Sequence, residues 1–202
     1  MIRKRKLLKA IGKHLVNKQY TIITGARQVG KTSLLQLLFQ QLKTTEEKVY
    51  YLSLEDQRIL KAVNEHPEKI LDFLPEKPVP ILQGNQEKKT YLLVDEVQYA
   101  EDPTNFLKYL YDKYESNLKI VATGSSAFYI DRKFRDSLAG RKRIFNLFPL
   151  SFEEFLSFQD AGNLISEIQL LQNDEEYESL LLEDINKYFF EYLKYGGYPA
   201  VA

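Results

Sequence analysis

The chain has 202 residues, which is enough for one α/β domain together with an appended segment. Its 28 basic residues balance 28 acidic residues, so the overall charge argues against a strongly basic nucleic-acid binder and leaves room only for a local basic patch. The absence of cysteine excludes disulfide bonds, thiolate metal sites and cysteine nucleophiles. No apolar run reaches the length of a membrane span and the N-terminus lacks the apolar core of a signal peptide. We therefore expect a soluble, cytoplasmic protein with no membrane partner.

The N-terminal stretch, residues 1–19, begins with a basic run and continues with apolar residues at helical spacing. This pattern predicts an amphipathic helix. The basic run, Arg3 to Lys6, could contact phosphate groups, but we favour a solvated helix face. The apolar residues are Leu7, Leu8, Ile11 and Leu15.

A glycine-containing turn follows, between a short apolar strand and a leucine-rich helix. Residues 20–24 are β-branched and apolar, and residues 33–42 carry leucine and phenylalanine at helical spacing. The turn between them fits the pattern G-x-x-x-x-G-K-[ST], the phosphate-binding loop of nucleotide hydrolases. The predicted binding residues are Gly25, Ala26, Arg27, Gln28, Val29, Gly30, Lys31, Thr32 and Ser33.

The residue types in this turn suit a bound polyphosphate. Gly25 and Gly30 permit backbone angles that direct successive N–H groups at one anion, and the helix N-terminus adds a positive dipole end. We expect Lys31 to reach the β- and γ-phosphates as a catalytic residue, and the hydroxyl group of Thr32 to bind Mg²⁺. The sequence therefore predicts a site for a nucleotide and a magnesium ion.

A second strand is predicted over residues 48–54, and it ends at Glu55 and Asp56. These two acids could face the nucleotide site, but capping of a following helix explains them equally well. Residues 57–89 have a weak pattern, in which Pro67 is expected to open a short helix and later prolines oppose regular structure.

Residues 90–96 are a continuous apolar strand that ends in two carboxylates, the pattern called Walker B. Asp95 is expected to hold Mg²⁺, mostly through water, and Glu96 to act as the general base that activates the attacking water. A single acidic pair at a strand end is common in exposed loops. Here the pair follows a phosphate loop in the order that nucleotide hydrolases have, which favours the magnesium–nucleotide site.

The predicted fourth strand, residues 118–122, is followed by Thr-Gly-Ser-Ser at 123–126. Ligands of open parallel sheets bind at the carboxyl ends of strands. We therefore expect a hydroxyl group there, that of Ser125, to contact the γ-phosphate or the attacking water. The alternative is ordinary turn chemistry, for which the same residue types are common.

The densest basic region lies at residues 132–143, just before a fifth predicted strand over residues 144–148. Arg141 is a candidate arginine finger, a group that raises the rate of phosphoryl transfer by about 10³–10⁵-fold. A solvated basic surface and a patch that contacts nucleic-acid phosphates fit the same residues equally well. The residues alone leave these alternatives open.

The C-terminal part is predicted to be mostly helical. Ser151 and Glu154 match a capping box at the start of one helix. Residues 159–175 are polar and are interpreted as a linker or mobile loop. A long helix is predicted from about Asp174 to Tyr195, ended by the glycines that follow it.

The alternation of five strands with helices predicts an α/β fold of the P-loop NTPase class. We expect a five-stranded, mostly parallel sheet with helices on both faces, followed by C-terminal helices. Residues 1–150 are interpreted as the P-loop ATPase core and residues 151–202 as a helical extension. For one magnesium ion to join the two motifs, the strand that carries Asp95 must end near the phosphate loop.

These motifs together resemble a family of bacterial and archaeal AAA-superfamily ATPases, in which the nucleotide domain precedes a C-terminal domain of unknown function. The resemblance implies an AAA/ASCE-type P-loop fold in which the strand before Thr123 lies between the strands of the two nucleotide motifs. It also implies ATP binding with Mg²⁺ and supports Arg141 as the finger. The matching stretches are residues 25–32, 92–98, 123–126, 138–141, 149–155 and 196–199.

Members of this family continue well beyond the stretch that matches residues 196–199. We therefore expect the helical extension to be the start of a lid or C-terminal domain whose remainder the sequence does not contain. The resemblance also leaves open a homo-oligomer, in which Arg141 would act within its own chain or on a neighbouring one.

ATP is favoured over GTP because the sequence lacks the guanine-reading pattern Asn-Lys-x-Asp and the pattern Asp-x-x-Gly at the second motif. The presence of Glu96 beside Asp95 favours transfer of the phosphoryl group to water over transfer by a kinase. The leading hypothesis is magnesium-dependent ATP hydrolysis that drives a conformational change. The alternatives are an ATP-binding regulatory switch with negligible hydrolysis and a DNA-associated ATPase.

Overall fold

A computed structural model describes Arg3 and residues 5–46, 48–124, 138–174 and 176–200. In these residues five parallel strands form one sheet. The predicted α/β fold is therefore confirmed. The strands are Tyr20–Thr24 (β1), Val49–Ser53 (β2), Thr90–Asp95 (β3), Leu118–Gly124 (β4) and Lys142–Asn146 (β5).

Helices cover both faces of the sheet, as the alternation of strands and helices predicts. None of those in the described ranges is long and apolar enough to cross a membrane. Short 3₁₀-helices lie at Pro67–Phe73, Ile81–Gln83 and Val97–Tyr99. The described α-helices are Lys6–His14 (α1), Lys31–Thr45 (α2), Gln57–Glu65 (α3), Pro103–Tyr114 (α4), Phe152–Phe158 (α5), Asn163–Asn173 (α6) and Leu182–Tyr195 (α7).

Two apolar clusters, one on each face, hold the helices against the sheet. Ile22 and Ile23 are neighbours in β1 but belong to different clusters, because successive side chains of a strand point to opposite faces. Leu107 of α4 belongs to the cluster of Ile22, and Leu35 of α2 belongs to the cluster of Ile23. Burial on both faces explains why the central strands are continuous apolar runs in the sequence.

The order of the strands is β2–β3–β4–β1–β5, so β4 lies between β1 and β3. Thr24 lies opposite Gly124, and Val94 lies opposite Ala122. Because the strands are parallel, the turn after β1 and the acids at the end of β3 meet at the same edge of the sheet. This is the strand order that the family resemblance implies and that sequence spacing alone does not reveal.

Side-chain caps mark the start of α3, α4 and α5. The Asp56 carboxylate accepts a hydrogen bond from the Arg58 N–H at 2.9 Å and begins α3, so capping accounts for this acid. The weakly patterned stretch 57–89 therefore begins with a helix that the sequence did not reveal. At α5, the predicted capping box of Ser151 and Glu154 is confirmed.

The fifth strand begins at Lys142, not at Ile144 as predicted. Its extent follows from its partner, because β5 pairs residue by residue with β1 from Tyr20 to Thr24. The apolar run that suggested the later boundary continues past the strand, where the Leu147 N–H still donates to the Thr24 carbonyl at 2.7 Å.

The prediction of a linker or mobile loop over residues 159–175 is wrong, because helix α6 occupies most of this stretch. Leu164 of α6 packs with Leu156 of α5 and Ile185 of α7 in a third apolar cluster. The helix is therefore stabilised by packing between three helices, which the polar composition of the stretch does not indicate.

The predicted long helix from Asp174 is also wrong, because α7 begins only at Leu182. The Asp174 carboxylate accepts a hydrogen bond from the Glu176 N–H at 3.0 Å, and the Ser179 hydroxyl accepts one from the Leu181 N–H at 3.1 Å. Such local side-chain bonds compete with the hydrogen bonds of a helix and delay its start.

Candidate functional site

The predicted phosphate loop connects β1 with α2 at the carboxyl edge of the sheet. Gly30 is the N-cap of α2 with φ of 92°, a left-handed conformation that glycine adopts without strain. A Cβ atom on Gly25 would overlap the carbonyl oxygen of Leu147, so this position also requires glycine. Gln28 has φ of 64°, a conformation that costs energy in a residue with a side chain and is found often at ligand sites.

A cavity of about 400 Å³ lies beside this loop and is lined both by loop residues and by Glu96, which follows β3. Its volume lies in the range of small-molecule sites. Among the other predicted loop residues, Val29 is buried, whereas Ala26 and Arg27 are exposed. The lining residues are Gln28, Gly30, Lys31, Thr32, Ser33, Glu96, Pro199 and Ala200.

Lys31 is the first residue of α2 and is only 5% exposed. Its ammonium group donates hydrogen bonds to the carbonyl oxygens of Ala26, at 2.8 Å, and Gly25, at 3.2 Å. Burial lowers the pKa of Lys31, and the negative charges of Glu96 and Asp95 act in the opposite direction. The lysine of the first motif and the acids of the second therefore share one electrostatic environment.

Asp95 ends β3 with a carboxylate that is almost fully buried, since the residue is 2% exposed. Its Oδ2 atom accepts a hydrogen bond from the Tyr51 hydroxyl at 2.8 Å, and its Oδ1 atom accepts one from the Thr123 hydroxyl. Within the described part of the chain, the carboxylate forms no ion pair at hydrogen-bonding distance. The two hydroxyl groups orient the carboxylate but, being neutral, do not cancel its negative charge.

Glu96 follows directly and has φ of 56°, which turns its side chain from the sheet into the cavity. Its N–H donates to the Thr123 hydroxyl oxygen at 3.0 Å, and its Oε2 atom accepts a hydrogen bond from the Gln98 side chain. Thr123 therefore contacts both acids, through one atom. This single hydroxyl group links the carboxylate of Asp95 to the backbone of Glu96.

The donor set fits a magnesium ion bound together with phosphates. Mg²⁺ prefers oxygen ligands and is commonly held by one or two carboxylates, by water and by substrate phosphates. Thr32 lines the cavity, and Asp95 presents a buried carboxylate whose negative charge acts to raise the pKa of Lys31. These are the residues that would hold the ion.

The residue predicted to contact the γ-phosphate, Ser125, lies outside the described residues. Two positions earlier, Thr123 at the end of β4 makes the contacts with both acids. The sequence signal for Thr123 was present, because a hydroxyl residue at the carboxyl end of a central strand lies at the ligand edge of the sheet. Tyr51 carried no such signal, because the group that its hydroxyl contacts, the carboxylate of Asp95, lies on the neighbouring strand.

Arg141 does not line this cavity within one chain and lies at the other end of β1. Its carbonyl oxygen accepts a hydrogen bond from the Tyr20 N–H, at the start of β1, whereas the phosphate loop follows the end of β1. Its guanidinium group pairs with Asp112 of α4 at 2.7 Å. Arg141 therefore lies at the amino edge of the sheet, a full strand length from the cavity.

Arg5 contacts the phosphate loop from outside, which the sequence did not reveal. It is 7% exposed, so the prediction of a solvated face for the basic run is wrong at this position. One guanidinium nitrogen donates to the Val29 carbonyl at 2.8 Å and another donates to the Phe148 carbonyl at 2.7 Å. The guanidinium group also pairs with the Glu154 carboxylate at 3.1 Å, which ties the loop to α5.

The strand order, the loop and the cavity together define an α/β protein of the P-loop nucleotide-binding class. A family described as "AAA domain" matches residues 17–156. The chain belongs to this AAA-domain family. The family membership makes it a nucleotide-binding protein of the AAA superfamily, as the resemblance of its motifs indicated.

Two relatives that are uncharacterized proteins extend this comparison. The chain is 29% identical over 185 residues to a protein of Haemophilus influenzae, with 89% of this chain and 39% of that protein covered. It is 30% identical over 210 residues to a protein of Methanocaldococcus jannaschii, with 96% of this chain and 41% of that protein covered. The chain thus spans about two fifths of the length of these curated relatives.

Solved structures show the same fold at low sequence identity. Cdc6p from Pyrobaculum aerophilum matches with a TM-score of 0.52 and 14% identity, over 82% of this chain and 52% of that chain. The ORC2 protein from Aeropyrum pernix, solved as ADPNP–ADP complexes, matches with a TM-score of 0.53 and 13% identity, over 80% and 52%. At this identity the likeness concerns the fold alone.

Proposed function

We propose that the chain binds ATP together with Mg²⁺ and hydrolyses it, and that hydrolysis drives a conformational change. The observation that carries this proposal is that Lys31, Thr32 and Glu96 line one cavity, with Asp95 close enough to influence the charge of Lys31. Backbone N–H groups of the loop and the N-terminus of α2 would bind the phosphates. When bound, the ion would neutralise negative charge that develops on the phosphate oxygens.

Each residue then has a distinct task. Lys31 would exchange its two carbonyl partners in the loop for phosphate oxygens, which bind an ammonium group more strongly because they are charged. Thr32 and Asp95 would hold the ion. Glu96 would orient the attacking water and accept its proton on a carboxylate oxygen, while Gln98 donates a hydrogen bond to Oε2.

The test is phosphate release by the wild type and by Glu96→Gln, with ATP binding measured in parallel. The variant should bind ATP with unchanged affinity and lose about two to four powers of ten in rate, since it lacks a general base. Glu101→Gln is the matched control, because Glu101 is an exposed acid nearby in sequence. An unchanged rate in Glu96→Gln would remove Glu96 from the mechanism.

We further propose that residues 151–202 form a helical extension, belonging to a lid or to a C-terminal domain, that responds to the nucleotide, with residues 1–150 as the core. Support comes from Pro199 and Ala200, which follow α7 and line the cavity beside the phosphate loop. A nucleotide in the cavity would contact this segment directly. Proteolysis of the C-terminal segment with and without ATP would report a change in its exposure.

An ATP-binding switch with negligible hydrolysis is the second candidate. It is motivated by the hydrogen bond that Gln98 donates to Oε2 of Glu96, which uses one acceptor position of the proposed base. Tight ATP binding without phosphate release at any protein concentration would support the switch. A rate per chain that rises with protein concentration would instead support hydrolysis in a homo-oligomer, with Arg141 supplied by a neighbouring chain.

A further inference from the structure

The carboxylate of Asp95 is held on both oxygens by hydroxyl groups from the two strands that flank it. Tyr51 belongs to β2 and donates to Oδ2, whereas Thr123 belongs to β4 and donates to Oδ1. β3 lies between these strands. Both hydroxyl groups reach Asp95 on the face of the sheet that α2 covers, the face of Leu93 and Val121.

Tyr51 is itself fixed from the side of α2, the helix that begins with Lys31. Its ring packs edge-on against Phe39, with ring centroids 5.9 Å apart. The pKa of Tyr51 is raised by burial and by its hydrogen bond to Asp95. Tyr51 therefore links the helix of the phosphate loop to the acid of the second motif.

The chemistry of this arrangement distinguishes it from a structural ion pair. A lysine or arginine partner would cancel the charge of Asp95 and compete with a cation for its lone pairs. A hydroxyl group uses one lone pair of each oxygen and leaves the others free. Two neutral donors thus orient the carboxylate and preserve its affinity for a cation or for water bound to one.

We propose that Tyr51 is a positioning residue for magnesium, which fixes the orientation of the Asp95 carboxylate toward the ion. This inference rests on the proposed function, because it concerns the ion of that same site. In this role Tyr51 would not itself bind the nucleotide or the ion. It acts through its hydroxyl group on Asp95, and its ring is required only for packing.

The primary test compares Tyr51→Phe with Tyr50→Phe. Both substitutions remove one hydroxyl group from adjacent residues of β2, but Tyr50 packs on the opposite face of the sheet. Mn²⁺ binding in the presence of a non-hydrolysable ATP analogue is followed by electron paramagnetic resonance. Tyr51→Phe should weaken Mn²⁺ binding about tenfold, in the range for groups that orient metal ligands. Tyr50→Phe should bind Mn²⁺ as the wild type does. Both variants should bind the analogue without metal at wild-type affinity.

Steady-state kinetics separate positioning from a general structural role. In Tyr51→Phe the Mg²⁺ concentration for half-maximal phosphate release should rise about tenfold, with the rate recovered at saturating Mg²⁺. A structural defect would instead lower the rate at every Mg²⁺ concentration. Thr123→Val, which lacks the other hydroxyl donor, should weaken Mn²⁺ binding as well, and Thr123→Ser should restore it.

The outcomes are distinguishable. If the wild type binds the analogue and Mn²⁺ but Tyr51→Phe matches Tyr50→Phe in Mn²⁺ affinity, the positioning role is overturned and the proposed function stands. If Mn²⁺ does not bind with the analogue to the wild type, the proposed function itself fails and this inference fails with it. A tenfold loss in Tyr51→Phe that Tyr50→Phe does not show supports both.

Discussion

Two buried carboxylates, Asp95 and Glu154, illustrate opposite uses of the same chemical group. They are 2% and 8% exposed, respectively. The partners of Asp95 in the described residues are neutral hydroxyl groups, whereas Glu154 pairs with the guanidinium group of Arg5 and accepts two backbone hydrogen bonds, from Lys6 and Ser151. The charge of Glu154 is thus compensated within the fold, and the charge of Asp95 is left for a ligand.

The partners of the two acids also differ in whether they can accept a hydrogen bond as well as donate one. A hydroxyl group can donate or accept, so the surroundings of Asp95 can adapt to an amide in place of the carboxylate. A guanidinium group and a backbone N–H can only donate, so the surroundings of Glu154 cannot. Partner chemistry, more than burial, therefore separates the acid proposed to bind a ligand from the acid that stabilises the fold.

The largest effect is expected for Asp95→Asn. The substitution removes the charge that the proposed magnesium site needs, and loss of several kcal/mol of charge stabilisation corresponds to about a 10²–10³-fold slower phosphate release. Because a buried charge without an ionic partner opposes folding, the free energy of unfolding should be unchanged or raised, by up to about 2 kcal/mol. Phosphate release and urea denaturation measure the two effects. A variant that is both active and less stable would reverse the roles assigned to the two acids.

The next effect concerns stability and is expected for Glu154→Gln. The amide would place N–H donors against the Arg5 guanidinium group and leave a buried charge unpaired, at a cost of about 3 kcal/mol. Urea denaturation measures this loss. The control is Glu65→Gln, which breaks the exposed pair with Lys69 and should leave the denaturation midpoint unchanged. Equal effects of the two substitutions would show that the Arg5–Glu154 pair has no structural importance.

A third prediction uses pH to separate the Glu154 charge from its shape. Burial acts to raise the pKa of Glu154, but the hydrogen bonds from Arg5, Lys6 and Ser151 outweigh it and the pKa is lowered from 4.5. A lowered pKa in the folded state contributes stability above pH 4.5, which is lost as pH falls through the folded-state value. The stability difference between wild type and Glu154→Gln should therefore shrink in acid. A difference that is constant from pH 7 to acid would mean that shape and not charge is responsible.

The smallest effect is expected for Arg141→Gln. Arg141 pairs with Asp112 where both side chains are substantially exposed, so stability should change by at most about 1 kcal/mol. Nucleotide affinity of the isolated chain should not change, because Arg141 lies at the edge of the sheet opposite the cavity. Fluorescence titration with a labelled ATP analogue provides the check. A loss of affinity in dilute protein would place Arg141 nearer the site than the structure does.

The fold class and the two nucleotide motifs were predictable because their chemistry is local in sequence. Gly25 and Gly30 indicate a tight turn of the backbone between the strand before them and the helix after them. Asp95 and Glu96 end a strand whose apolar run is visible without tertiary information. These two sequence patterns therefore locate the candidate site before the strand order is known, and the strand order then shows that they meet.

The features that sequence reasoning missed depend on distant partners. Arg5 looks like a surface residue until Glu154, 149 positions away, is placed beside it. Tyr51 is one of two adjacent tyrosines in β2, and only pairing with β3 shows which of them reaches Asp95. Helix α6 was mistaken for a loop because its few apolar residues gain their stability from neighbouring helices. Such contacts leave no periodic signal in the sequence.

The most direct test of the account is how Mg²⁺ changes the affinity for a non-hydrolysable ATP analogue in the wild type and in Asp95→Asn. Calorimetric titrations with and without Mg²⁺ give the four dissociation constants required. We expect Mg²⁺ to tighten binding to the wild type by at least about tenfold and to have little effect on Asp95→Asn. The same tightening in both proteins would contradict the claim that Asp95 and the phosphate loop form one magnesium–nucleotide site.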